Sequence, residues 1–268
     1  MKNTKQLRLV LIMGLILLLG LGWAGQTAAV THVEPARLIL HVEPGARRTG
    51  TIKVTNKGEE EIEVKAILYD WVLDSKEALV TSQAGSRPET LAELIKFNPR
   101  QFEVGPGKTQ VVRFTIKAPE DLEQERRGIV FFEEETGLVE EATGAKVVTQ
   151  IGTAIYFVPT TAQSKFRLLA AKVETGVGEE ENNLGLLLVK NDGNAHIRYT
   201  INYKIINNKG AVIEDSKVEE RVILPQATRV AAFPITDQLA AGEYKILLQI
   251  HFYGTDKIAD YTLPFVVD

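Results

Sequence analysis

The strongest constraint on the fold is a strand-and-turn phrase that the chain writes twice. An alternating run ends in Val54-Thr55-Asn56-Lys57-Gly58, and the turn Val104-Gly105-Pro106-Gly107-Lys108 later launches Val111-Val112-Arg113-Phe114-Thr115-Ile116. In the second half, Leu186-Leu187-Leu188-Val189-Lys190-Asn191-Asp192-Gly193 is followed at a similar remove by Leu224-Pro225-Gln226-Ala227-Thr228-Arg229-Val230-Ala231-Ala232-Phe233. The period around these runs is two. Ile52 and Val54 alternate with Thr51, Lys53 and Thr55; Ile62, Val64, Ala66 and Leu68 alternate with Glu61, Glu63, Lys65 and Ile67; Val112, Phe114 and Ile116 alternate with Arg113, Thr115 and Lys117. A period of two with one polar face marks half-buried antiparallel strands. Glu89 to Lys96, with Leu91, Leu94 and Ile95, leaves room for two turns of helix before Asn98-Pro99.

Turn signals at Pro44-Gly45, Asn207-Asn208-Lys209-Gly210, Ala241-Gly242 and Gly254-Thr255-Asp256 cut the rest into short strands at sandwich spacing. The expected fold is therefore all-β, with two tandem immunoglobulin-like β-sandwich domains after an N-terminal signal peptide. The leader carries Lys2, Lys5 and Arg8, then an uncharged run from Leu9 to Ala24, then Thr27-Ala28-Ala29, which predicts a signal peptide over residues 1–29. An uncleaved anchor is the alternative, because the run approaches the ~20 residues of a membrane helix. Cleavage would leave about 239 residues, enough for domains at 30–162 and 163–268 joined between Thr160 and Lys165.

The formal charge of −4 becomes about −7 once the leader is lost. Acidity, with Arg47-Arg48 and Arg126-Arg127 as the only adjacent basic pairs, argues against nucleic acid as a partner. The chain has no cysteine, so hydrophobic cores rather than disulfides must hold it, and no acylated cysteine can anchor it. The segment Tyr261 to Asp268 reads as a last strand. The expectation is a periplasmic or otherwise extracytoplasmic, secreted protein without stable membrane insertion after signal cleavage.

Nothing in the sequence assembles a catalytic centre, a cofactor site or a metal site. His32, His41, His196 and His251 are scattered without ligand spacing, and no nucleophile elbow or phosphate-binding glycine loop occurs. Glu59-Glu60-Glu61, Glu133-Glu134-Glu135 and Glu179-Glu180-Glu181 lack the spaced oxygens of a calcium loop and read as solvated edges or loops. Asp70 and Asp74 flank Trp71 in the manner of a sugar platform, but a tryptophan on a strand more often packs inside.

The first domain carries, in order, Pro35-Ala36-Arg37-Leu38-Ile39-Leu40, Val54-Thr55-Asn56-Lys57-Gly58, Phe102 to Arg113, Ala118-Pro119-Glu120-Asp121-Leu122-Glu123, Arg127-Gly128-Ile129-Val130-Phe131-Phe132 and Ile155-Tyr156-Phe157-Val158-Pro159. In these residues it resembles the periplasmic chaperones that assemble bacterial pili. The resemblance implies two immunoglobulin-like domains in a boomerang and a basic pair in the cleft that holds a subunit's C-terminal carboxylate. It also implies an exposed last strand that completes the subunit's sandwich. Arg37 matches the first-strand arginine, whereas Gly152 stands where the second cation belongs and Arg127 where a glutamate would make an interdomain salt bridge. A second similarity is to the cell-wall-binding proteins that interact with WxL-domain partners, through Arg127 to Phe132 and a long insertion.

Together these imply a non-enzymatic chaperone or adaptor whose partner is a protein subunit of a surface assembly, bound by edge-strand addition along Val147 to Val158. The candidate binding residues are Arg37, Val147, Thr149, Ile151, Thr153 and Ile155. The alternative is a surface or cell-wall binding module that grips through the segments Asp74 to Lys96 and Gly137 to Lys146.

Overall fold

The computed structural model describes residues 31–140, 145–177, 182–235 and 239–267, and every regular element among them is a strand. The segment predicted as a signal peptide lies outside the described residues, as does the glutamate run at 179–181. No helix among the described residues is long and apolar enough to cross a membrane. In chain order the first sandwich is built from β1 (Thr31–Glu34), β2 (Arg37–Val42), β3 (Arg47–Asn56), β4 (Ile62–Leu73), β5 (Leu79–Gln83), β6 (Ile95–Asn98), β7 (Gln101–Val104), β8 (Thr109–Lys117), β9 (Arg126–Glu140) and β10 (Ala145–Pro159). The second is built from β11 (Phe166–Val177), β12 (Asn182–Asn191), β13 (Ile197–Asn207), β14 (Val212–Ile223), β15 (Thr228–Ile235), β16 (Gly242–Phe252) and β17 (Ile258–Val267).

The first sandwich faces a sheet of order β1-β3-β8-β6 against one of order β2-β10-β9-β4-β5, with β7 also paired to β4. The second faces β11-β12-β15 against β14-β13-β16-β17. The two-residue period does the sorting. Ile52, Val54, Val64, Val112, Phe114 and Ile116 are all buried in one core, while Leu187, Val189, Tyr199, Ile201, Phe233 and Ile246 fill the other. A third apolar cluster, Trp71, Ile129, Tyr156, Val158, Ala195 and Leu224, lies between the sandwiches and cements them.

The doubled phrase folds into the same device twice. Asn56 ends β3 fully buried; its Nδ2 donates to the carbonyls of Glu60 (2.6 Å) and Val104 (2.8 Å), and its Oδ1 accepts the Gly58 N–H (2.8 Å). Asn191 ends β12 fully buried, with Nδ2 donating to Ala195 O (2.7 Å) and Ile223 O (3.2 Å) and Oδ1 accepting the Gly193 N–H (2.9 Å). Each asparagine latches its own turn to the partner strand's turn, which satisfies carbonyls that water cannot reach. Six residues before each latch stands a glycine under a phenylalanine ring. A Cβ on Gly50 would lie 2.4 Å from Phe114 Cζ, and one on Gly185 would lie 2.3 Å from Phe233 Cζ.

The helix considered over Glu89 to Lys96 does not form. Single turns close from Thr90 N–H to Arg87 O and from Leu94 N–H to Leu91 O, and Glu93 at φ 64° stops helical winding. Leu91 is fully buried, and the chain then extends so that Ile95 pairs with Ile116.

Candidate partner-binding edge and interdomain cleft

Strand β10 is paired along one side with β9, from Ala145 opposite Glu140 to Phe157 opposite Arg126. On its other side β2 runs parallel to it, but only from Ala154 opposite Arg37 to Pro159 opposite Val42. From Ala145 to Thr153 no strand among the described residues takes that side. The Ala154 N–H donates to Ala36 O (3.0 Å), so alternation turns the main-chain groups of Val148, Gln150 and Gly152 toward the open side. The open edge is therefore shorter than the sequence implied: Ala154 to Val158 is covered by β2.

Apart from Lys146 near its start, this edge is also unguarded. Val148-Thr149-Gln150-Ile151-Gly152-Thr153 carries no charge and no proline. The edges of the second sandwich carry both: Arg167, Lys172 and Glu174 on β11, Glu214, Asp215 and Lys217 on β14, Arg229 and Pro234 on β15, and Asp260 and Pro264 on β17. Charges and prolines on an edge strand are what discourage another chain from pairing there.

The candidate binding residues divide by face. Thr153 and Ile155 are fully buried in the first sandwich, with the Thr153 hydroxyl donating to Pro35 O (2.8 Å). Neither has surface to offer, a correction that follows from odd-numbered residues of β10 facing their own core. Ile151 packs on that core and Thr149 is half-buried opposite Glu134. Val147 belongs to β10, but its side chain lies outside the described residues. Even-numbered residues face outward. Val148 is exposed, and Gln150 donates to Glu133 (2.7 Å), which also accepts the Tyr69 hydroxyl (3.0 Å). Gly152 lies opposite Phe131, and a Cβ there would stand 2.8 Å from both the Phe131 ring and Ile129 Cδ1. An aromatic ring thus fills the place of the second cation. Glu134, expected to be solvated, is buried and accepts the Thr31 hydroxyl.

Arg37 opens β2, and its Nη1 lies 2.9 Å from Glu220 Oε1 on β14, across the gap between sandwiches. Arg37, Ile39 and His41 share the outward face of β2, and a cleft of about 770 Å³ is lined by Ile39, His41, Val158, Arg198 and Tyr253. Arg198 on β13 bonds the same Oε1 of Glu220 and reaches the Tyr156 hydroxyl at 3.5 Å. Burial above all presses the Arg198 pKa below its usual value, and burial raises that of Tyr156.

The joint itself is made by residues that sequence reasoning did not single out. Glu125, fully buried, accepts the His196 N–H (2.8 Å) and meets His196 Nδ1 (2.5 Å), and the His196 ring lies 4.2 Å from the Tyr156 ring. Asn194 Nδ2 donates to Glu123 O (2.6 Å), and Gln163 and Asn194 exchange hydrogen bonds across the linker. Arg127 does not take up interdomain pairing; it is buried beside Glu89 (3.4 Å) with its guanidinium 5.7 Å from the Trp71 ring centre. The only signal for the joint was that His196 and Arg198 alternate with Ala195, Ile197 and Tyr199.

Much of the segment Asp74 to Lys96 is bound to the rest of the molecule. Asp70, buried, accepts the Arg87 N–H (3.0 Å) and the Thr90 hydroxyl (2.5 Å). Glu77 pairs with Arg221, and Leu73 O accepts Arg229 Nη2 (2.6 Å), so the β4–β5 hairpin braces the second sandwich. Trp71 lies inside the joint cluster. The other candidate lip, Gly137 to Lys146, continues β9 into β10, and its tip falls outside the described residues.

No family model and no curated protein matches the chain. Solved structures do. The chain is similar to the YadV chaperone at 10% identity, covering 88% of this chain and 100% of that one with a TM-score of 0.50. It is also similar to a chain of the Salmonella enterica SafA pilin–SafB chaperone complex (13% identity, 88% and 96% covered, TM-score 0.45). A third similarity is to a chain of the CsuC–CsuE chaperone–tip subunit complex from Acinetobacter baumannii (13% identity, 87% and 98% covered, TM-score 0.46). The protein has the two-sandwich fold of the pilus-assembly chaperones, as its first domain's motifs implied.

Proposed function

We propose that this chain is an exported, non-catalytic chaperone-like protein that holds a subunit of a surface assembly by strand addition along Val148 to Thr153. The observation that carries the reading is the uncharged stretch Val148 to Thr153 of the open edge of β10, which ends where Arg37 begins β2. A guest strand laid there in line with β2 runs parallel to β10, and its C-terminus arrives beside the Arg37 guanidinium. Main-chain hydrogen bonds to Val148, Gln150 and Gly152 supply affinity at about 1 kcal/mol each. Phe131 on the neighbouring β9, packed over Gly152 on the outward face, offers apolar contact for alternate guest side chains. A charge-assisted bond from Arg37 to a terminal carboxylate fixes the register. The chaperone complexes among the similar structures contain a pilin and a tip subunit, which agrees with a protein subunit as partner.

The test is capture of partners from the exported fraction by the full mature chain. Gln150→Pro removes one outward N–H at an edge position that tolerates proline, so the fold survives while the captured subunit is lost; Arg37→Ala should weaken capture at least about tenfold. Undiminished capture by both variants overturns the proposal. Retention of the wild-type chain on protein-free cell wall would favour the binding-module reading instead.

A further inference from the structure

The first sandwich has a second bare margin. β5 is the outer strand of its sheet, paired along one side with β4 from Leu73 opposite Leu79 to Tyr69 opposite Gln83, and no strand among the described residues takes its other side. Its sequence, Leu79-Val80-Thr81-Ser82-Gln83, carries neither charge nor proline. Every other outer strand among the described residues carries a charge: Glu34 on β1, Arg37 on β2, Lys96 on β6, and those named above on β11, β14, β15 and β17. Leu79 and Val80 are 47% and 43% exposed. The Asp74 N–H donates to Ala78 O (3.0 Å) and closes the hairpin. Alternation from that bond turns the main-chain groups of Val80 and Ser82 to β4, and those of Leu79, Thr81 and Gln83 outward.

We propose that β5 is the contact between two copies of this chain, joined antiparallel about a twofold axis at Thr81. That register pairs all three outward residues, Thr81 with its own mate and Leu79 with Gln83, whereas an axis at Val80 or Ser82 leaves one of them without a partner. Gln83 O also accepts the Ser86 N–H (3.1 Å), and its second lone pair is free for the mate. Leu79 and Val80 then lie beside Gln83 and Ser82 of the second copy, which covers them. No like charges meet along the strands, and the ends are complementary. Asp74 stands before β5 and Arg87 after it. Asp74 accepts the Lys76 and Ala78 N–H groups on Oδ1 alone (2.8 and 2.9 Å), and the Arg87 guanidinium has no carboxylate partner among the described residues. Antiparallel pairing brings each copy's Asp74 beside the other's Arg87. The interface uses the same patch on both copies and so closes as a dimer, and a five-residue strand makes it small and weak. The joined sheet leaves the open half of each β10 toward its far margins, so self-association does not occupy the edge assigned to a guest.

The test is sedimentation velocity of the full mature chain from about 10 µM to 1 mM, the range in which a weak interface declares itself. Wild type should pass reversibly from monomer to dimer. Thr81→Lys and Thr81→Glu each set like charges on the axis, and each should raise the concentration needed for dimers at least about tenfold. An equal mixture of the two should dimerise again, a result that misfolding of either variant cannot produce. Arg87→Ser, at the ends of the contact, should weaken association about threefold. Gln150→Pro should dimerise as wild type does, which separates this contact from the open edge of β10. A wild-type chain that stays monomeric throughout, dimers that survive both single Thr81 variants, or a mixture of those variants that stays monomeric overturns the proposal. Loss of the dimer in Gln150→Pro with Thr81→Lys unaffected places the contact on β10 and overturns it as well.

Discussion

The same turn has two fates in the two sandwiches. In the first, Asn56 latches Lys57-Gly58, and Lys57 stands in solvent. In the second, Asn191 latches Asp192-Gly193, but Gly193 is buried against the linker, so close that a Cβ would lie 2.0 Å from Gln163 O. Asn194 and His196, just beyond, reach Glu123 and Glu125 of the first sandwich. One copy of the device therefore closes a loop while the other forms the joint. The edges divide similarly. The second sandwich has charged or proline-bearing edges, whereas the first leaves the far half of β10 bare because β2 covers only its end. A repeated frame supplies the stability, and departures from it supply the proposed site.

The sharpest way to break this comparison is at the latches. Asn56→Ala and Asn191→Ala each strand buried carbonyls and should cost about 3 kcal/mol in chemical denaturation. If the sandwiches are separate cooperative units, each variant shifts mainly its own transition. Gly193→Ala sets a methyl against linker backbone, which cannot yield as a side chain can, and should free the joint. Cleavage by protease between Thr160 and Lys165, where we propose the domain boundary, would rise; unchanged cleavage would separate the turn from the joint.

Gly50→Ala and Gly185→Ala test whether the two glycine–phenylalanine pairs are equivalent. Each should cost about 1–3 kcal/mol through overpacking. Adding Phe114→Leu to the first or Phe233→Leu to the second should recover part of that loss, because the ring causes the clash. The smallest expected effect is alkaline. Burial, with the hydrogen bond to Glu214, pushes the Tyr203 phenol up to about 12, and burial raises Tyr199 as well, whereas the buried, raised phenol of the first sandwich, Tyr156, lies at the joint and not in its core. A phenol whose folded pKa exceeds its unfolded value of 10 contributes stability that is full below pH 10 and lost as pH rises toward 12. The second sandwich should therefore weaken first in that window, and Tyr203→Phe should flatten its pH dependence.

The sequence made some of this legible and hid the rest for physical reasons. Alternation fixed the buried faces of β3, β4 and β8, and the doubled phrase announced two sandwiches. Alternation says which way a residue faces, but not how much of a strand its neighbour covers. Alternation alone therefore leaves β10 open to Val158, whereas β2 lies along it from Ala154 and Ile155 is buried. Glu134 turns inward because consecutive glutamates point to opposite faces of a strand. The Glu125–His196 and Arg37–Arg198–Glu220 contacts join residues far apart in the chain, and they depend on how the sandwiches meet, which no local pattern encodes. Gly152 was visible as a missing cation, but not as the floor beneath Phe131.

Amide hydrogen exchange on the complex captured from the exported fraction, compared with the free chain, tests the central claim most directly. Strand addition predicts strong new protection at Val148, Gln150 and Gly152, whose N–H groups face the open side, with little change along β14 or β17. Protection confined to β5 or to the edges of the second sandwich, with those three amides exchanging as before, would contradict it.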